Sequence, residues 1–301
     1  MTIRPRRSVL YMPGSNARAL EKAKTLPADA LILDLEDAVA PDAKAAARDQ
    51  VCGAVKAGGY GAREIAIRIN GLDTPWGRAD LEAAAAAAPD AVLVPKVCSG
   101  ADIDRVTSTL AEAGAPKTRL WAMIETPLAI LNIAGIAAAA RAPGARLSCF
   151  VLGTNDLVKE TRAELGDGRV GALYWLSAAV TAARAYGLDV LDGVYNDFKD
   201  AEGFVSECRQ GRVLGFDGKT LIHPDQIAPA NAAFAPAAAE VAWARKIIAA
   251  FEEARGQGKG VVVVDGKLVE NLHVLEARRL VAMAEAIAAA STRDGSGQRV
   301  N

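Results

Sequence analysis

Short apolar runs recur along the chain and alternate with amphipathic, alanine-rich segments. Apolar runs without alternation are typical of strands buried on both faces, as in parallel sheets, and the segments between them have helical spacing. Alternating strands and helices predict βαβ units. We expect strands at 8–12, 29–34, 64–69, 91–95, 119–124, 147–152, 188–192 and 212–217.

Eight such strands are the number that closes an α/β barrel, so the predicted fold is a (β/α)8 TIM barrel. An open doubly wound sheet is the alternative, but the first turn, Met12–Asn16, lacks the glycine-rich G-x-G-x-x-G pattern that such folds usually carry there. In a barrel the carboxyl ends of all strands meet at one mouth. Most of the apolar runs end in a charged residue, so the pattern predicts an enzyme.

The character of the chain changes after residue 235. A helix predicted near 237–255 is followed by a glycine-rich link, then by two apolar runs around Asp265-Gly266, which is a strong hairpin turn signal. We therefore divide the chain into a catalytic barrel (1–234), a C-terminal helix–hairpin–helix lid extension (235–291) and a disordered tail (292–301).

Composition excludes several classes of function. A formal net charge of −1 gives no reason to expect nucleic acid, and no apolar run reaches the ~20 residues of a membrane helix. The N-terminus lacks the apolar stretch of a signal peptide, so we expect a cytoplasmic protein. The four cysteines form no C-x-x-C pair and there are only two histidines, which disfavours zinc and a Ser-His-Asp triad.

Two carboxylates follow neighbouring predicted strands, Glu125 and Asp156. Adjacent strands lie ~5 Å apart, so both could bind one Mg²⁺, which prefers oxygen ligands. A helix cap or a surface ion pair is the alternative at these positions.

Arg68 also ends a strand, where its guanidinium could bind a carboxylate with two prongs or form a salt bridge to Asp34, Glu36 or Asp37. Glu36 and Asp37 could support Arg68 or metal-bound water. The turn Gly153–Asn155 could bind an anion through backbone N–H groups.

Three further charged residues end strands. Lys96 and Lys219 are poor candidates for Schiff-base chemistry, because neighbouring carboxylates would keep them charged. Asp192 has no assigned role at this stage.

A set of short motifs, in order, resembles the citrate lyase β-subunit-like family of the HpcH/HpaI aldolase superfamily. The matching segments are Arg7–Ser15, Leu31–Pro41, Arg68–Gly71, Val94–Val97, Ile124–Pro127, Gly153–Leu157, Gly218–Pro224 and the hairpin around Asp265–Lys267.

This resemblance implies a Mg²⁺-dependent TIM barrel that cleaves or forms C–C bonds in acyl-CoA esters. By the family pattern, Glu125 and Asp156 are the metal ligands, Arg68 binds the keto-acid carboxylate, and Gly153–Asn155 donate to the same group. The segment expected to meet coenzyme A contains Arg7, Tyr11, Arg18 and Lys24.

The resemblance also implies a homotrimer in which the lid reaches a neighbouring subunit. Several relatives carry a catalytic Asp after the lid hairpin, whereas this chain has Glu270 there, one methylene longer. We expect Glu270 to be the acid/base of a retro-Claisen cleavage of a malyl-, citramalyl- or citryl-CoA type of substrate, giving a keto acid.

Three alternatives remain open at this stage. The chain could be a citrate lyase subunit that uses an acyl-carrier thioester, or a class II pyruvate aldolase whose substrates lack CoA. A non-enzymatic scaffold subunit is the alternative from a different class.

Overall fold

In the computed structural model, which describes residues 3–256 and 260–296, eight parallel strands close into a barrel. Each strand pairs with the next, and the last pairs with the first through Ser8 and Lys219. The barrel strands are β1 (Ser8–Pro13), β2 (Ala30–Asp34), β3 (Glu64–Arg68), β4 (Ala91–Val94), β5 (Arg119–Ile124), β6 (Leu147–Leu152), β7 (Asp189–Asp192) and β8 (Gly218–Leu221). The predicted TIM barrel is confirmed.

The helices surround the strands in the expected alternation. They are α1 (Ala17–Ala23), α2 (Lys44–Ala57), α3 (Gly77–Ala87), α4 (Gly100–Glu112), α5 (Pro127–Leu131), α6 (Ile133–Ala138), α7 (Thr154–Thr161), α8 (Leu173–Tyr186), α9 (Ala201–Leu214) and α10 (Ile227–Phe234). Short 3₁₀ turns occur at Pro41–Ala43, Ala139–Arg141, Asp167–Ala172 and Pro224–Gln226.

The last predicted strand is misplaced. The segment 212–217 begins as the final turn of α9, and the eighth strand is Gly218–Leu221. Val213 and Leu214 fit a helix face as well as a strand, since Val213 is exposed and Leu214 packs against the core. Gly215 ends the helix with a left-handed backbone (φ 101°), which suits glycine.

Side chains alternate between two layers along every barrel strand. One layer fills the barrel interior, with Ile32, Ala66 and Trp121 among its members, and the other packs against the helices, with Leu31, Leu33 and Val190. This period of two fixes which strand-end residues face inward.

The second compact unit comprises Ala235–Asn301 together with Met1–Pro5, while the barrel spans Arg6–Phe234. It contains α11 (Ala238–Gly256), the antiparallel hairpin β9 (Val261–Val264) and β10 (Lys267–Glu270), and α12 (Asn271–Ser296), around its own apolar core. The helix α12 continues beyond the expected lid end at 291, as far as Ser296, and residues 297–301 of the tail expected at 292–301 lie outside the described residues. Among the residues that the structure describes, no helix has the length and apolarity needed to cross a membrane.

Candidate active site

Inward-facing residues at the carboxyl ends of the strands converge at the barrel mouth. Asp34 and Arg68 extend the interior layers of β2 and β3, and Glu125 extends that of β5. Beside them is a cavity of about 320 Å³. It is lined by Tyr11, Asp34, Asp37, Ala38, Arg68, Met123, Leu152, Gly153, Thr154, Asn155, Asp156, Val194, Asn196, Thr220 and Ile222.

Arg68 is buried and held by acidic residues of β2 and the loop after it. Its Nε and Nη2 each donate to an oxygen of Asp34 at 2.6 Å, in the two-pronged geometry that guanidinium and carboxylate favour. Nη1 lies 2.7 Å from Glu36 Oε2 and donates to Asp37 Oδ2 at 3.3 Å. The salt bridge that was the alternative for Arg68 is therefore formed, and only the Nη1 side faces the more exposed carboxylates.

Tyr11 and Met123 form the apolar side of this arginine. The guanidinium lies over the Tyr11 ring at 4.8 Å from its centroid, and Nη1 is 3.8 Å from Met123 Sδ. Burial alone would lower the Arg68 pKa, but Tyr11, Asp34 and Glu36 together raise it well above its ordinary value. The guanidinium is thus a fixed positive charge at the cavity wall.

The Glu36 carboxylate is incompletely hydrogen-bonded in this cluster. Its Oε2 makes an ion pair with Arg68 Nη1 at 2.7 Å but lies off the N–H directions, and it has no hydrogen bond within the described part of the chain. Burial raises the pKa of Glu36 to about 7, against the opposing effect of Arg68, and Asp37 and Glu125 add to the rise. Glu36 is therefore protonated more readily in the folded protein than in the unfolded chain.

Glu125 and Asp156 are linked through Lys96. The Lys96 backbone N–H donates to Glu125 Oε1 at 2.7 Å, and its Nζ lies 3.4 Å from Asp156 Oδ1. Lys96 reaches both through a left-handed backbone (φ 52°), which is costly for a residue other than glycine. Burial raises the pKa of Glu125, and the Asp156 carboxylate adds to that rise. The two carboxylates therefore share one region of negative potential.

Glycine at position 153 makes room for Glu125. A Cβ placed there would lie 2.4 Å from Glu125 Cβ and 2.7 Å from its Oε2. This close approach lets the buried Glu125 lie directly behind the turn that begins α7. Within residues 3–256 and 260–296, no three His, Cys, Asp or Glu side chains converge as a complete metal-binding group.

The turn itself presents polar groups to the cavity. Thr154 begins α7, and the amide side chains of Asn155 and Asn196 exchange two hydrogen bonds, at 3.2 and 2.9 Å. Sequence analysis did not single out Asn196, Met123 or Thr220, although the inward layer of β5 could have indicated Met123.

The residues expected to meet coenzyme A do not act together. Tyr11 lines the cavity beneath Arg68, but Arg7 precedes β1 and so lies at the opposite end of the barrel. There its guanidinium is bound two-pronged to Asp29, at 2.8 and 2.7 Å. This position and this pairing do not support a role for Arg7 in binding coenzyme A, and its assignment stays a prediction. Arg18 is exposed on α1, and Lys24 pairs with Glu21.

Glu270 ends β10, in the C-terminal unit. Its backbone N–H donates to His273 Nδ1 at 3.0 Å, and its side chain is half-buried.

A second cluster of charges lies behind the barrel wall. Asp192 and Lys219 follow the outward layers of β7 and β8, and their side chains meet Arg169 and Glu207. Arg169 Nη1 donates to both Asp192 oxygens at 2.8 and 3.0 Å, and Lys219 Nζ lies 3.2 Å from Asp192 Oδ2. Burial alone would raise the Asp192 pKa, but Lys219 and Arg169 lower it. We call these four residues the buried network.

The cavity and its charged side chains lie at the carboxyl ends of the barrel strands, where enzymes with this fold place their active sites. The model of the HpcH/HpaI aldolase/citrate lyase family matches residues 7–224, and the chain belongs to this family of enzymes.

Named relatives span nearly the whole chain. A (3S)-malyl-CoA thioesterase of Cereibacter sphaeroides is 54% identical over 285 residues, covering 95% of this chain and 96% of the relative. An L-malyl-CoA/β-methylmalyl-CoA lyase of the same species is 37% identical over 311 residues, covering 95% and 96%. The crystal structure of CitE from Mycobacterium tuberculosis with magnesium, acetoacetate and coenzyme A is similar with a TM-score of 0.73 and 29% identity, covering 95% of this chain and all of that one.

Proposed function

We propose that the chain is a Mg²⁺-dependent enzyme acting on the CoA ester of a short 3-hydroxy acid of the malyl-CoA kind. The observation that carries this proposal is that Arg68 and Asp156 line one cavity, with the buried Glu125 linked to Asp156 through Lys96. A positive group and a negative pair at one mouth suit a substrate that brings its own carboxylate and a divalent cation. The family membership and the malyl-CoA names of two relatives support the same substrate class.

Several features of the mouth fit magnesium. Glu125 and Asp156 supply the hard oxygen ligands that it prefers, with water and substrate completing the shell. The Lys96 ammonium lies 3.4 Å from Asp156, in the place where a cation would neutralise this pair of carboxylates. When bound, Mg²⁺ supplies Lewis-acid polarisation of the substrate oxygens. CitE binds magnesium together with coenzyme A, which also supports the cofactor.

The chain's own residues then have distinct tasks. Arg68 holds the carboxylate of the keto-acid portion through its Nη1 side, while Asp34 fixes the guanidinium plane. Thr154 and Asn155 donate backbone N–H groups from the start of α7 to the same carboxylate, whereas the Gly153 N–H, which was expected to join them, donates to the Ile124 carbonyl oxygen at 3.1 Å. Glu36 and Asp37 hold Arg68 and water around the site.

In the cleavage reaction, a base takes the proton of the substrate hydroxyl, and the bond between the carbinol carbon and the carbon next to the thioester breaks. The products are a keto acid and a CoA-ester enolate that is then protonated. We propose Glu270 as this base, acting across a subunit boundary in a homotrimer with exchanged lids. A kcat of the Glu270→Gln variant equal to that of the wild type would remove this assignment.

Thioester hydrolysis is a second candidate reaction at the same site. Water adds to the thioester carbon, the C–S bond breaks, and CoA and the free hydroxy acid leave. The 54% identity to a malyl-CoA thioesterase favours it, since the malyl-CoA lyase is only 37% identical. Both reactions require the same binding of the hydroxy-acid portion of the CoA ester.

Product analysis tests the proposal and separates the two reactions. The purified protein is incubated with Mg²⁺ and malyl-, citramalyl-, β-methylmalyl- or citryl-CoA, and then with the corresponding free acids. With malyl-CoA, glyoxylate and acetyl-CoA indicate the lyase, while malate and CoA indicate the thioesterase. Turnover of free hydroxy acids alone would indicate a pyruvate aldolase, activity only on an acyl-carrier thioester would indicate a citrate lyase subunit, and no turnover of any of them would support a scaffold.

A further inference from the structure

The buried network holds Gly193, which follows β7 directly, and the Asp192 carbonyl oxygen also accepts a hydrogen bond from Thr220 Oγ1 in the cavity wall. Lys219 Nζ donates to the Gly193 carbonyl oxygen, and the Gly193 N–H donates to Asp192 Oδ1 at 2.8 Å. Both backbone groups of Gly193 are therefore held by the network. Asp192 and Lys219 are fully buried and Arg169 is 5% exposed, so this anchor is rigid.

Gly193 packs closely against Thr154, the first residue of α7. A Cβ at Gly193 would lie 2.5 Å from Thr154 Oγ1, 2.9 Å from Thr154 Cγ2 and 3.0 Å from the Leu152 carbonyl oxygen. No room exists for a methyl group, because Thr154 occupies that space. Asn155 and Asp156 follow Thr154 directly in the first turn of α7.

We infer that the buried network positions Asp156 at the mouth. It holds Gly193 in place, and Gly193 restricts where the Thr154 side chain, and with it the first turn of α7, can lie. This inference rests on the proposed function, in which Asp156 is a ligand of the cation. The network residues touch neither substrate nor cation; they act through Gly193 and Thr154. An added methyl at Gly193 displaces the turn, and removal of the Thr154 side-chain branches restores the space.

The test compares Gly193→Ala, the double variant Gly193→Ala/Thr154→Ala, and Gly53→Ala as the matched control. Gly53 lies in α2, and a Cβ there would meet nothing within 4 Å. The probe is Mn²⁺, whose binding is followed by the EPR signal of the unbound ion, with thermal unfolding measured in parallel and kcat and KM in the assay above. Misplacing a catalytic group by about 1 Å can cost roughly 100-fold in rate, so we expect Mn²⁺ to bind at least about tenfold more weakly to Gly193→Ala.

The control should bind Mn²⁺ like the wild type, and the double variant should recover most of the lost affinity. If Gly193→Ala fails to fold, folding and Mn²⁺ binding regained in the double variant support the inference. Wild-type affinity in Gly193→Ala, or a defect that the double variant does not relieve, would overturn it. Failure of the wild-type protein itself to bind Mn²⁺ would instead contradict the proposed function.

Discussion

Two clusters of charges stand at the carboxyl ends of the barrel strands, and they differ in balance. The mouth cluster brings Asp34, Glu36, Asp37, Glu125 and Asp156 together with two cations, Arg68 and Lys96. The buried network pairs two carboxylates with two cations.

Burial raises the pKa values of Glu36 and Glu125 and neighbouring carboxylates add to the rise, whereas Lys219 and Arg169 outweigh burial and lower the pKa of Asp192. The four charges of the buried network neutralise one another, whereas the excess of carboxylates at the mouth favours binding of a further cation or of protons. The imbalance of charge at the mouth therefore supports the proposal that this cluster binds a cation.

The largest effect is expected from removing a charge at the mouth. Glu125→Gln keeps the shape of the side chain but takes away a ligand of the cation, so kcat/KM should fall about 10³-fold. Steady-state assays at saturating Mg²⁺ measure this. Glu112→Gln, on the exposed face of α4, is the control and should leave kcat/KM unchanged. A Glu125→Gln variant as active as the wild type would remove the metal assignment.

Removing a charge from the buried network should lower stability, in addition to loosening its hold on Gly193. Asp192→Asn leaves Arg169 and Lys219 buried with less opposing charge, and breaking such a pair costs about 3 kcal/mol in the free energy of unfolding. Urea unfolding measures the change at neutral pH. An unfolding free energy within 0.5 kcal/mol of the wild type, roughly the scatter for neutral surface changes, would mean that the network is not tightly coupled.

The two clusters should also respond to pH in opposite directions. The Glu36 pKa rises from 4.5 to about 7 on folding, so the folded state binds the proton more tightly, and this group lowers stability as pH rises from 4.5 to 7. Asp192 has a lowered pKa, so its contribution is present above its ordinary pKa of 3.8 and is lost as pH falls through its lower folded value.

The Glu36→Gln variant isolates the mouth contribution. Its free energy of unfolding should fall less than that of the wild type between pH 4.5 and 7, by on the order of 1–3 kcal/mol. Denaturant unfolding across this pH range gives the comparison. If the free energies of unfolding of the two proteins changed in parallel with pH, folding would not raise the pKa of Glu36.

The smallest effect on activity is expected at the opposite end of the barrel. Because Arg7 is bound to Asp29 far from the mouth, Arg7→Ala should leave KM for the CoA ester unchanged. The lost two-pronged pair should lower the free energy of unfolding by about 1–2 kcal/mol. A clear rise in KM without loss of stability would restore Arg7 to the CoA site.

The contrast between the clusters also shows what the amino-acid sequence could predict. The apolar runs that end in charged residues predicted the barrel and its mouth. Strands of a parallel sheet are buried on both faces, so they occur in the sequence as nearly continuous apolar runs. Asp34, Arg68 and Glu125 continue the inward layers of their strands, whereas Asp192 and Lys219 continue the outward layers. Because side-chain direction alternates along a strand, a shift of one residue decides whether a strand-end charge faces the mouth or the buried network. That distinction needed the exact strand bounds.

Other features depended on long-range structure. Val213 and Leu214 suit either a helix or a strand, and only the packing of α9 decides between them. Lys96 joins Glu125 to Asp156 through an unusual backbone angle that no propensity indicates. The role of Glu270 depends on how subunits assemble, and it stays a prediction.

Cation binding tests the central claim most directly. Mn²⁺ titration, followed by EPR, of the wild type, Asp156→Asn and the control Glu112→Gln compares the mouth with an exposed carboxylate. We expect the wild type and the control to bind one ion per chain with equal affinity, and Asp156→Asn to bind at least about tenfold more weakly, as expected when a hard-cation site loses a charged ligand. A wild-type protein that binds no ion, or an Asp156→Asn variant that binds as tightly as the wild type, would contradict the claim that the unbalanced charges at the mouth form the cation site.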